Sequence, residues 1–460
     1  MLWEAEDRDR TRRRQGPDFS CTIHRVDPDR SIPVVSRVEG RVDAPASKSA
    51  TQRALIAAAL ASGRSQLRHP LLSDDSRHLI AALDAAGIPA RVDAEGADPV
   101  FEIDGQGGTI PRGRASVTVG NAGTAMRFLT ALLALGRGEY LIDGDARMRQ
   151  RPIEDLLAAL RALGAEAVSI HGNGCPPVRV GGPGLRGGRA GLQGGTSSQY
   201  LSAILLAAPA MPEGVHLEVE GPLVSRPYVD LTLGIMRRFG AEVETAPSGP
   251  EPTRFVVRPG RPYRPCDLEI EGDYSSVSYF FAAAAITGGR VRVDRLDPLS
   301  PQGDARFVDL LERMGCRVER GDSWVAIEGT QDLRGLDADC RAMPDIVPTL
   351  AVVTLFAAGR SRITGVPHLK VKESDRIATV ASEINRMGGG ATPLADGLAI
   401  EPCPLHGTRI ETWSDHRIAM AFAVAGLRVP GMLIADPGCV SKSFPDFWAR
   451  FDELTGRPSC

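Results

Sequence analysis

Lysine is scarce in this chain. Its 460 residues include 54 lysines and arginines together, and the only lysines are Lys48, Lys370, Lys372 and Lys442. Arginine therefore serves wherever any cation suffices, whereas the compact, flexible ammonium of lysine suits crowded anion sites. Because all four lysines stand in polar clusters that precede helix-like segments, we interpret them as candidate ligands of an anion.

Other common signatures are absent as well. The eight cysteines form no C-x-x-C pair and lack zinc-ligand spacing, which predicts no structural metal and favours a reducing, cytoplasmic compartment. No apolar run approaches the roughly 18 residues that cross a bilayer, so no membrane association is predicted. A net charge of −3 argues against nucleic acid as a partner. The charged segment 1–20 has no secretory h-region, and we interpret it as a disordered arm.

The chain repeats one pattern six times, and its length favours two domains. Segments rich in Ala and Leu recur roughly every 70–80 residues. They are apolar on nearly all faces, which predicts fully buried helices. Between them lie segments with apolar residues at i, i+3, i+4 and i+7 and a terminal Gly, which predicts amphipathic helices. The buried series covers 53–63, 127–136, 199–209, 278–289, 348–359 and 416–426, and the amphipathic series covers 76–87, 151–164, 226–240, 304–315, 374–388 and 444–456.

A polar cluster introduces each buried helix. Helix N-termini expose unpaired N–H groups and a partial positive charge, so they bind anions. Capping by Ser, Thr or Asp is the alternative interpretation of any one cluster. Capping does not require the cations that recur at these places: Lys48, Arg53, Arg127, Arg151, Lys372, Arg376, Arg417 and Lys442. If these cations converge, they form one deep site for multiply anionic substrates.

The glycine-rich stretch 181–195 invites comparison with a nucleotide-binding loop. It contains no G-x-x-x-x-G-K-[ST] pattern and has no clear strand–loop–helix context for a G-x-G-x-x-G motif. We therefore expect a flexible hairpin here.

Nine motifs, in order from about residue 40 to 450, resemble the 3-phosphoshikimate 1-carboxyvinyltransferase (EPSP synthase) family. They are "SKSATQRALIAAALA", "GNAGTAMRFL", "RMRQRPI", "SSQYLSA", "SRPYVD", "GDYSSVSYFFAAAAI", "VKESDRI", "DHRIAMAFAVAGL" and "VSKSFPDFW". The resemblance implies an α/β (α+β) protein of two similar domains, each with three βαβαββ repeats, known as the inverse α/β barrel or enolpyruvyl transferase fold. Residues 21–46 plus 271–460 would form one discontinuous domain and 47–270 the other, with the active site in the cleft between them.

The resemblance implies an enzyme that moves the enolpyruvyl group of phosphoenolpyruvate to the 5-hydroxyl of 3-phosphoshikimate, with release of phosphate. This is a step of the shikimate pathway toward chorismate and aromatic amino acids, and glyphosate is expected to inhibit it. The reaction is addition followed by elimination, without a metal or organic cofactor, in a cytoplasmic monomer. The alternatives are the sister transferase acting on UDP-N-acetylglucosamine, whose loop cysteine has no counterpart here, and a silent anion-binding protein on the same scaffold.

Three catalytic residues follow from the resemblance. Glu373 would exchange a proton with the methylene carbon of phosphoenolpyruvate, and Asp345 would be the base for the attacking hydroxyl. Lys48 would support the developing charge between the substrates. Asp345 can also cap the following helix, and the two roles are compatible. The 3-phosphoshikimate residues would be Lys48, Ser49, Arg53, Ser197, Ser198, Gln199, Ser225, Tyr228, Asp345 and Lys372, and the phosphoenolpyruvate residues would be Lys48, Gly123, Arg151, Gln199, Arg376, Arg417 and Lys442.

Three further positions are left with open or structural roles. A structural ion pair is the expected role of Arg127, and helix capping is expected of Asp415. His368 stands where many family members have an Asn that contacts the substrate phosphate, and its role is left open.

Overall fold

The computed structural model describes residues 29–94, 98–247 and 252–457, so the predicted arm at 1–20 lies outside the described residues. These residues form a mixed α/β structure with many small sheets. Its α-helices are α1 Lys48–Leu60, α2 Asp74–Ala85, α3 Gly123–Leu133, α4 Glu154–Ala162, α5 Ser198–Ala207, α6 Arg226–Arg238, α7 Tyr274–Thr287, α8 Phe307–Arg313, α9 Val347–Thr354, α10 Arg376–Arg386, α11 His416–Gly426 and α12 Phe447–Thr455.

The strands alternate with the helices in a regular order. They are β1 Arg30–Ser31, β2 Glu39–Asp43, β3 Ser62–Arg68, β4 Ala90–Asp93, β5 Val100–Gln106, β6 Arg114–Thr118, β7 Glu139–Asp143, β8 Glu166–Ser169, β9 Val178–Gly181, β10 Gly188–Gln193, β11 Val215–Glu220, β12 Glu244–Pro247, β13 Pro252–Val257, β14 Asp267–Glu269, β15 Arg290–Asp294, β16 Arg317–Arg320, β17 Trp324–Glu328, β18 Asp337–Asp339, β19 Ser361–Thr364, β20 Gly390–Leu394, β21 Gly397–Glu401, β22 Arg409–Ile410 and β23 Leu433–Ile434.

Both helix series predicted from the sequence are confirmed. The odd-numbered helices α1 to α11 coincide with the apolar segments, and every residue of α7 is buried. Their small Ala and Gly side chains let neighbouring helices approach closely. The even-numbered helices bury one face, as the amphipathic pattern predicts. The segment 304–315 begins as a 3₁₀ turn, Gly303–Arg306, before α8 continues it.

Five four-stranded sheets share one arrangement. In each, a parallel pair is extended by two antiparallel pairings, for example in the order β6-β7-β9-β8 and β18-β19-β21-β20. A three-stranded sheet, β1-β23-β22, completes the set formed by the described residues. A parallel pair needs a crossover, and in these two sheets the buried helices α3 and α9 supply it.

Two sheets exchange their first strands. Strand β2 precedes α1 but pairs in parallel with β15, which follows α7; strand β14 precedes α7 but pairs in parallel with β3, which follows α1. The two exchanging segments run side by side, joined by a bridge between Ala46 and Gly272. The buried apolar residues fall into two clusters, one from Ala46 to Ile270 and the other from Ile32 to Ala44 and Tyr274 to Leu454.

The expectation of a hairpin at 181–195 is wrong. Strand β9 ends at Gly181 in one sheet, and β10 begins at Gly188 in another, where it pairs in parallel with β11. Ala190 and Leu192 alternate toward the core of that second sheet. The many glycines hid this period of two, which is the mark of a strand. No helix in the described part of the chain has the length and apolar character to cross a bilayer.

Candidate active site

Most of the predicted site residues line one cavity, with contributions from both parts of the chain. Those that line it are Lys48, Ser49, Arg53, Gly123, Arg151, Ser198, Gln199, Ser225, Tyr228, Asp345, Lys372, Glu373, Arg376 and Arg417. Ser197 caps the helix that carries Ser198 and Gln199. The Lys442 ammonium lies beside the cavity, 2.9 Å from Asp75 and 3.9 Å from the Glu373 carboxylate. The structure therefore brings the whole predicted set into one region.

Helix N-termini surround this cavity, as the polar clusters predict. Helices α1, α3, α5, α10 and α11 all begin at or beside lining residues. The capping interpretation holds at four of the six buried helices, where Ser47, Ser197, Asp273 and Asp415 accept hydrogen bonds from the first turn. It fails at α3 and α9, which have no side-chain cap. Asp345 therefore does not cap α9, and its carboxylate is held by cations instead.

Arg376, the first residue of α10, connects three acidic residues of the site. This guanidinium is 1% exposed and binds three carboxylates. It donates to both oxygens of Asp415 at 2.8 and 3.1 Å, to Glu373 at 2.9 Å and to Asp345 at 3.1 Å. Burial works against the charge, but these carboxylates together raise the pKa of Arg376 above its usual range. Asp415 caps α11 as expected, and its ion pair with Arg376 also fixes α10 against α11.

Asp345 lies among cations. Arg417 donates to its Oδ2 at 2.7 Å, and Arg376 binds Oδ1. The Tyr228 hydroxyl lies 3.3 Å from Oδ2. Burial alone would raise the pKa of Asp345, but Arg417, Arg376 and Lys372 hold it well below the usual range. Burial also lowers the pKa of Lys372 to about 8, against the attraction of Asp345 and Glu373.

Glu373 is buried and, like Asp345, surrounded by cations. Its residue is 9% exposed and lies 3.8 Å from Arg151 and 3.9 Å from Lys442, in addition to its bond with Arg376. Burial raises the pKa of Glu373, but these three cations outweigh burial and keep it well below the usual range. A carboxyl group surrounded in this way responds strongly to any anion that engages the same cations.

Asp75 is a site residue that the sequence did not reveal. It is 3% exposed, lies at the start of α2, and binds Lys442 at 2.9 Å and Lys48 at 3.3 Å. Burial opposes ionisation of Asp75, but the two ammonium groups lower its pKa. Acidic residues in a first helical turn are common because they complement the helix dipole, so the sequence context of Asp75 gave no distinct signal.

His416 is also buried and lines the same cavity. Burial, and next the charges of Lys48 and Arg417, hold the pKa of His416 well below the usual range.

Gly123 leaves room for Arg151. A Cβ atom at position 123 would lie 2.5 Å from Nη2 of Arg151, so any larger residue would displace the guanidinium. Arg127, one turn along α3, donates to the carbonyl oxygens of Gly123 and Pro152. Arg127 forms no ion pair with any described residue, so the expectation of a structural ion pair is wrong, and carbonyl oxygens accept its hydrogen bonds instead.

Arg53 and Tyr228 also line the cavity. Arg53 is 1% exposed and donates to Thr232 at 2.7 Å and to the Ser49 carbonyl oxygen at 2.9 Å. Burial lowers the pKa of Arg53 to about 10, so it remains charged at neutral pH. Ser225 lies 3.4 Å from Nε2 of His368, whose pKa burial, and next Lys372, lowers to about 3. His368 is therefore a neutral imidazole beside the predicted phosphate ligands.

This arrangement can bind a set of anions and move protons among them. The described residues contain no group of His, Cys, Asp or Glu side chains arranged to hold a metal ion. The cations Lys48, Arg53, Arg151, Lys372 and Arg417 face one space in which two carboxylates, Asp345 and Glu373, share the guanidinium of Arg376. General acid–base chemistry between two bound anions fits these groups.

Comparisons with known proteins agree. A family model described as EPSP synthase (3-phosphoshikimate 1-carboxyvinyltransferase) matches residues 32–451. A 3-phosphoshikimate 1-carboxyvinyltransferase of Methanoculleus marisnigri is 46% identical over 412 residues, which cover 89% of this chain and 96% of that protein. The corresponding protein of Trichormus variabilis is 43% identical over 429 residues, covering 93% and 99%. The solved EPSP synthase of Acinetobacter baumannii has a TM-score of 0.75 at 27% identity and covers 93% of this chain and 98% of that one. The chain belongs to the EPSP synthase family.

Proposed function

We propose which residues of the cavity bind each substrate and which transfer protons in the reaction of phosphoenolpyruvate with 3-phosphoshikimate. In this reaction the 1-carboxyvinyl group of phosphoenolpyruvate moves to the 5-hydroxyl of 3-phosphoshikimate. That reaction, a step of aromatic amino acid biosynthesis, is the activity of the family. One observation carries the proposal: Asp345 and Glu373 are bonded to the same guanidinium, Arg376, within a ring of cations. Two carboxylates so close together can serve two proton transfers in one bound complex.

Phosphoenolpyruvate would occupy the side of the cavity near Glu373. The proposed ligands are Lys48, Gly123, Arg151, Gln199, Arg376, Arg417 and Lys442. Gly123 supports this assignment because a Cβ there would collide with Arg151. Guanidinium groups bind phosphate and carboxylate oxygens in a bidentate fashion, which orients the donor as well as holding it.

3-Phosphoshikimate would occupy the side formed by α1, α5 and α6. Its proposed ligands are Lys48, Ser49, Arg53, Ser197, Ser198, Gln199, Ser225, Tyr228, Asp345 and Lys372. Support comes from the N-terminus of α5, where Ser197 accepts from the Gln199 amide, and from the buried, charged Arg53 nearby. A helix N-terminus with a facing guanidinium is a suitable phosphate site.

The chemistry is addition followed by elimination. Asp345 would accept the proton of the 5-hydroxyl as its oxygen attacks C2 of phosphoenolpyruvate, and Glu373 would give a proton to the methylene carbon. The tetrahedral intermediate would then expel phosphate while Glu373 removes a proton from the new methyl group. Lys48 would balance the negative charge that develops between the two substrates.

Substrate binding would allow Glu373 to take up a proton from solvent. Arg151, Lys442 and Arg376, which hold the Glu373 pKa low, are the proposed ligands of phosphoenolpyruvate. When these cations pair with the substrate phosphate and carboxylate, their field at Glu373 is largely compensated. Its pKa then rises toward the range where a carboxyl group can act as an acid at neutral pH.

The proposal extends to the architecture. We assign 21–46 plus 271–460 and 47–270 as the two domains, each of three βαβαββ repeats in an inverse α/β barrel. The two core clusters and the strand exchange near Ala46 and Gly272 support these boundaries. A monomer is proposed because both parts of one chain supply cavity residues. A cytoplasmic location rests on the pattern of cysteine use, and inhibition by glyphosate rests on its likeness to phosphoenolpyruvate.

Phosphate release tests the assignment. Purified protein is mixed with phosphoenolpyruvate and 3-phosphoshikimate, alone and together, and compared with Glu373→Gln and Asp345→Asn. We expect release that requires both substrates and falls by about 10²-fold or more in each variant. Asp375→Asn is the matched control, because Asp375 caps α10 and Asn caps equally well. Release with UDP-N-acetylglucosamine instead would overturn the acceptor assignment, which the relatives do not favour.

A further inference from the structure

A second buried carboxyl group lies behind the site, and the mechanism above does not use it. Asp304, in the 3₁₀ turn Gly303–Arg306, is 2% exposed. Its Oδ2 accepts hydrogen bonds from Ser275 and Tyr228, while its Oδ1 is buried without a partner. No Lys, Arg or His of the described residues forms an ion pair with it, in contrast to Asp345 and Glu373. A buried carboxyl without a cation is costly when ionised, so its presence calls for a reason.

Tyr228 connects this carboxyl group to Asp345. The phenol oxygen of Tyr228 lies 3.3 Å from Oδ2 of Asp304 and 3.3 Å from Oδ2 of Asp345. One hydroxyl hydrogen can be donated to either carboxylate, and the phenol oxygen can accept from the other. A small cavity beside the main one is lined by Tyr228, Ser49 and Asp304, and the first two residues also line the main cavity.

The surroundings of Asp304 raise its pKa into the neutral range, where it can both accept and release a proton. The groups that face it are Asp345, Arg417, Asp273, Ser275, Tyr228 and Cys340. Burial and then Asp345 raise its pKa to about 7, with Arg417 and the Ser275 hydroxyl opposing. The same cations that bind Asp345 keep that residue a weak base, so a proton left on Asp345 would be held poorly.

We propose that Asp304 receives, through the Tyr228 hydroxyl, the proton that Asp345 takes from the 5-hydroxyl of the acceptor. The O5–H bond breaks and an O–H bond forms on Asp345. Asp345 then passes its proton to the Tyr228 oxygen as Tyr228 gives its own to Oδ2 of Asp304. No electrons are transferred. The proton returns by the same route to the departing phosphate or to solvent before the next turnover. This inference rests on the proposed role of Asp345.

The pH dependence of kcat tests the relay. Asp304 must be ionised to receive a proton, so kcat of the wild type rises with pH through about 7. In Asp304→Asn we expect kcat to fall about 10-fold to 100-fold, less than the roughly 10²–10⁴-fold effect of a base itself, and the rise near pH 7 to disappear. The KM for 3-phosphoshikimate should remain within about twofold of the wild type, because Asp304 has no proposed contact with it.

Two further variants make the test specific. Ser275→Ala keeps the carboxylate but removes a donor that lowers its pKa, so the rise in kcat should shift to higher pH. Asp309→Asn, the same chemical change on exposed residue Asp309, which pairs with Arg320 at the surface, should leave the profile unchanged. If Asp304→Asn proves too unstable to assay, the shift in Ser275→Ala alone decides.

The outcomes separate the two proposals. An Asp304→Asn protein with wild-type kcat and an intact rise near pH 7 would overturn the relay, as would an unshifted profile in Ser275→Ala. If Asp345→Asn also retains full activity, the assignment of Asp345 as the base fails instead. Loss in Asp345→Asn together with a normal Asp304→Asn profile would reject the relay alone.

Discussion

At the scale of single residues, the pKa of an ionisable side chain in this site depends on its burial and its charged neighbours as much as on its residue type. Lys372 is the clearest case, because burial lowers its pKa to about 8 while Asp345 and Glu373 oppose the effect. A lysine with a lowered pKa is fully charged below that value and loses its charge as the pH rises through it. Its proposed partner is the phosphate of 3-phosphoshikimate, so the affinity for this substrate should depend on pH.

We therefore predict that the KM for 3-phosphoshikimate rises as the pH passes about 8. Initial rates between pH 6.5 and 9.5, at saturating phosphoenolpyruvate, measure this directly. In Lys372→Arg the KM should be higher at neutral pH, because the planar guanidinium fits the ammonium site poorly, but it should no longer change with pH. A wild-type KM that stays flat to pH 9.5 would show that Lys372 does not hold the phosphate by its charge.

Some of the residues that form the site could be predicted from the sequence. Lys48, Glu373 and Arg376 stand in motifs whose resemblance to a family indicated their roles, and the structure brings them together. Asp75 and Asp304 could not be found in this way. Each is an acidic residue at the start of a helical segment, where capping and dipole effects make such residues common. Only the folded chain shows that Asp75 lies between two lysines and that Asp304 forms no ion pair with any described residue.

At the scale of elements, helix N-termini organise the site, and Asp273 serves two of them. Its carboxylate accepts from the amides of Ser275 and Ser276 at the start of α7 and from the amide of Lys48 at the start of α1. These helices belong to different core clusters. Asp273 thus joins the two parts of the chain directly beside a proposed catalytic lysine.

We predict that Asp273→Ala lowers the free energy of unfolding by about 2 kcal/mol, since two caps are each worth roughly 1 kcal/mol. Urea unfolding followed by circular dichroism measures the change. Ser47→Ala, which removes the cap of α1 alone, should cost only about half as much. Equal losses in the two variants would mean that the bond from Asp273 to the Lys48 amide contributes nothing.

Periodicity predicted six of the twelve α-helices formed by the described residues, and segments apolar on nearly all faces predicted the other six. Strand β10 was not predicted because its glycines have no side chains that would show which face of the strand is buried. Ala190 and Leu192 carry the only strong alternation within it. Strand pairing was beyond local patterns altogether, since β2 and β14 find partners more than 190 residues away.

At the scale of the whole molecule, the two parts of the chain that form the two core clusters meet at the loop that carries Lys372 and the proposed catalytic residue Glu373. Arg147, which precedes the 3₁₀ turn Met148–Gln150, donates to the carbonyl oxygens of Lys372 at 2.9 Å and Glu373 at 3.0 Å. Its guanidinium thus holds the backbone of the segment that carries both of these side chains.

We predict that Arg147→Met lowers kcat about 10-fold or more, because Glu373 loses its fixed position, with little effect on the free energy of unfolding. Steady-state kinetics and urea unfolding give the two quantities. Arg149→Met is the control, since exposed Arg149 pairs with Asp143 in its own part of the chain. Similar kcat values for the two variants would exclude a role for the Arg147 contacts in catalysis.

The central claim is that Glu373 exchanges a proton with the methylene carbon of phosphoenolpyruvate, and isotope exchange tests it most directly. With both substrates in D₂O, the methyl group of the tetrahedral intermediate rotates, so elimination returns some deuterium to the methylene group. Proton and deuterium NMR of the product and of recovered phosphoenolpyruvate measures this. We expect deuterium at the methylene carbon with the wild type and none above background with Glu373→Gln. Incorporation by Glu373→Gln at the wild-type rate would assign the proton transfer to another group.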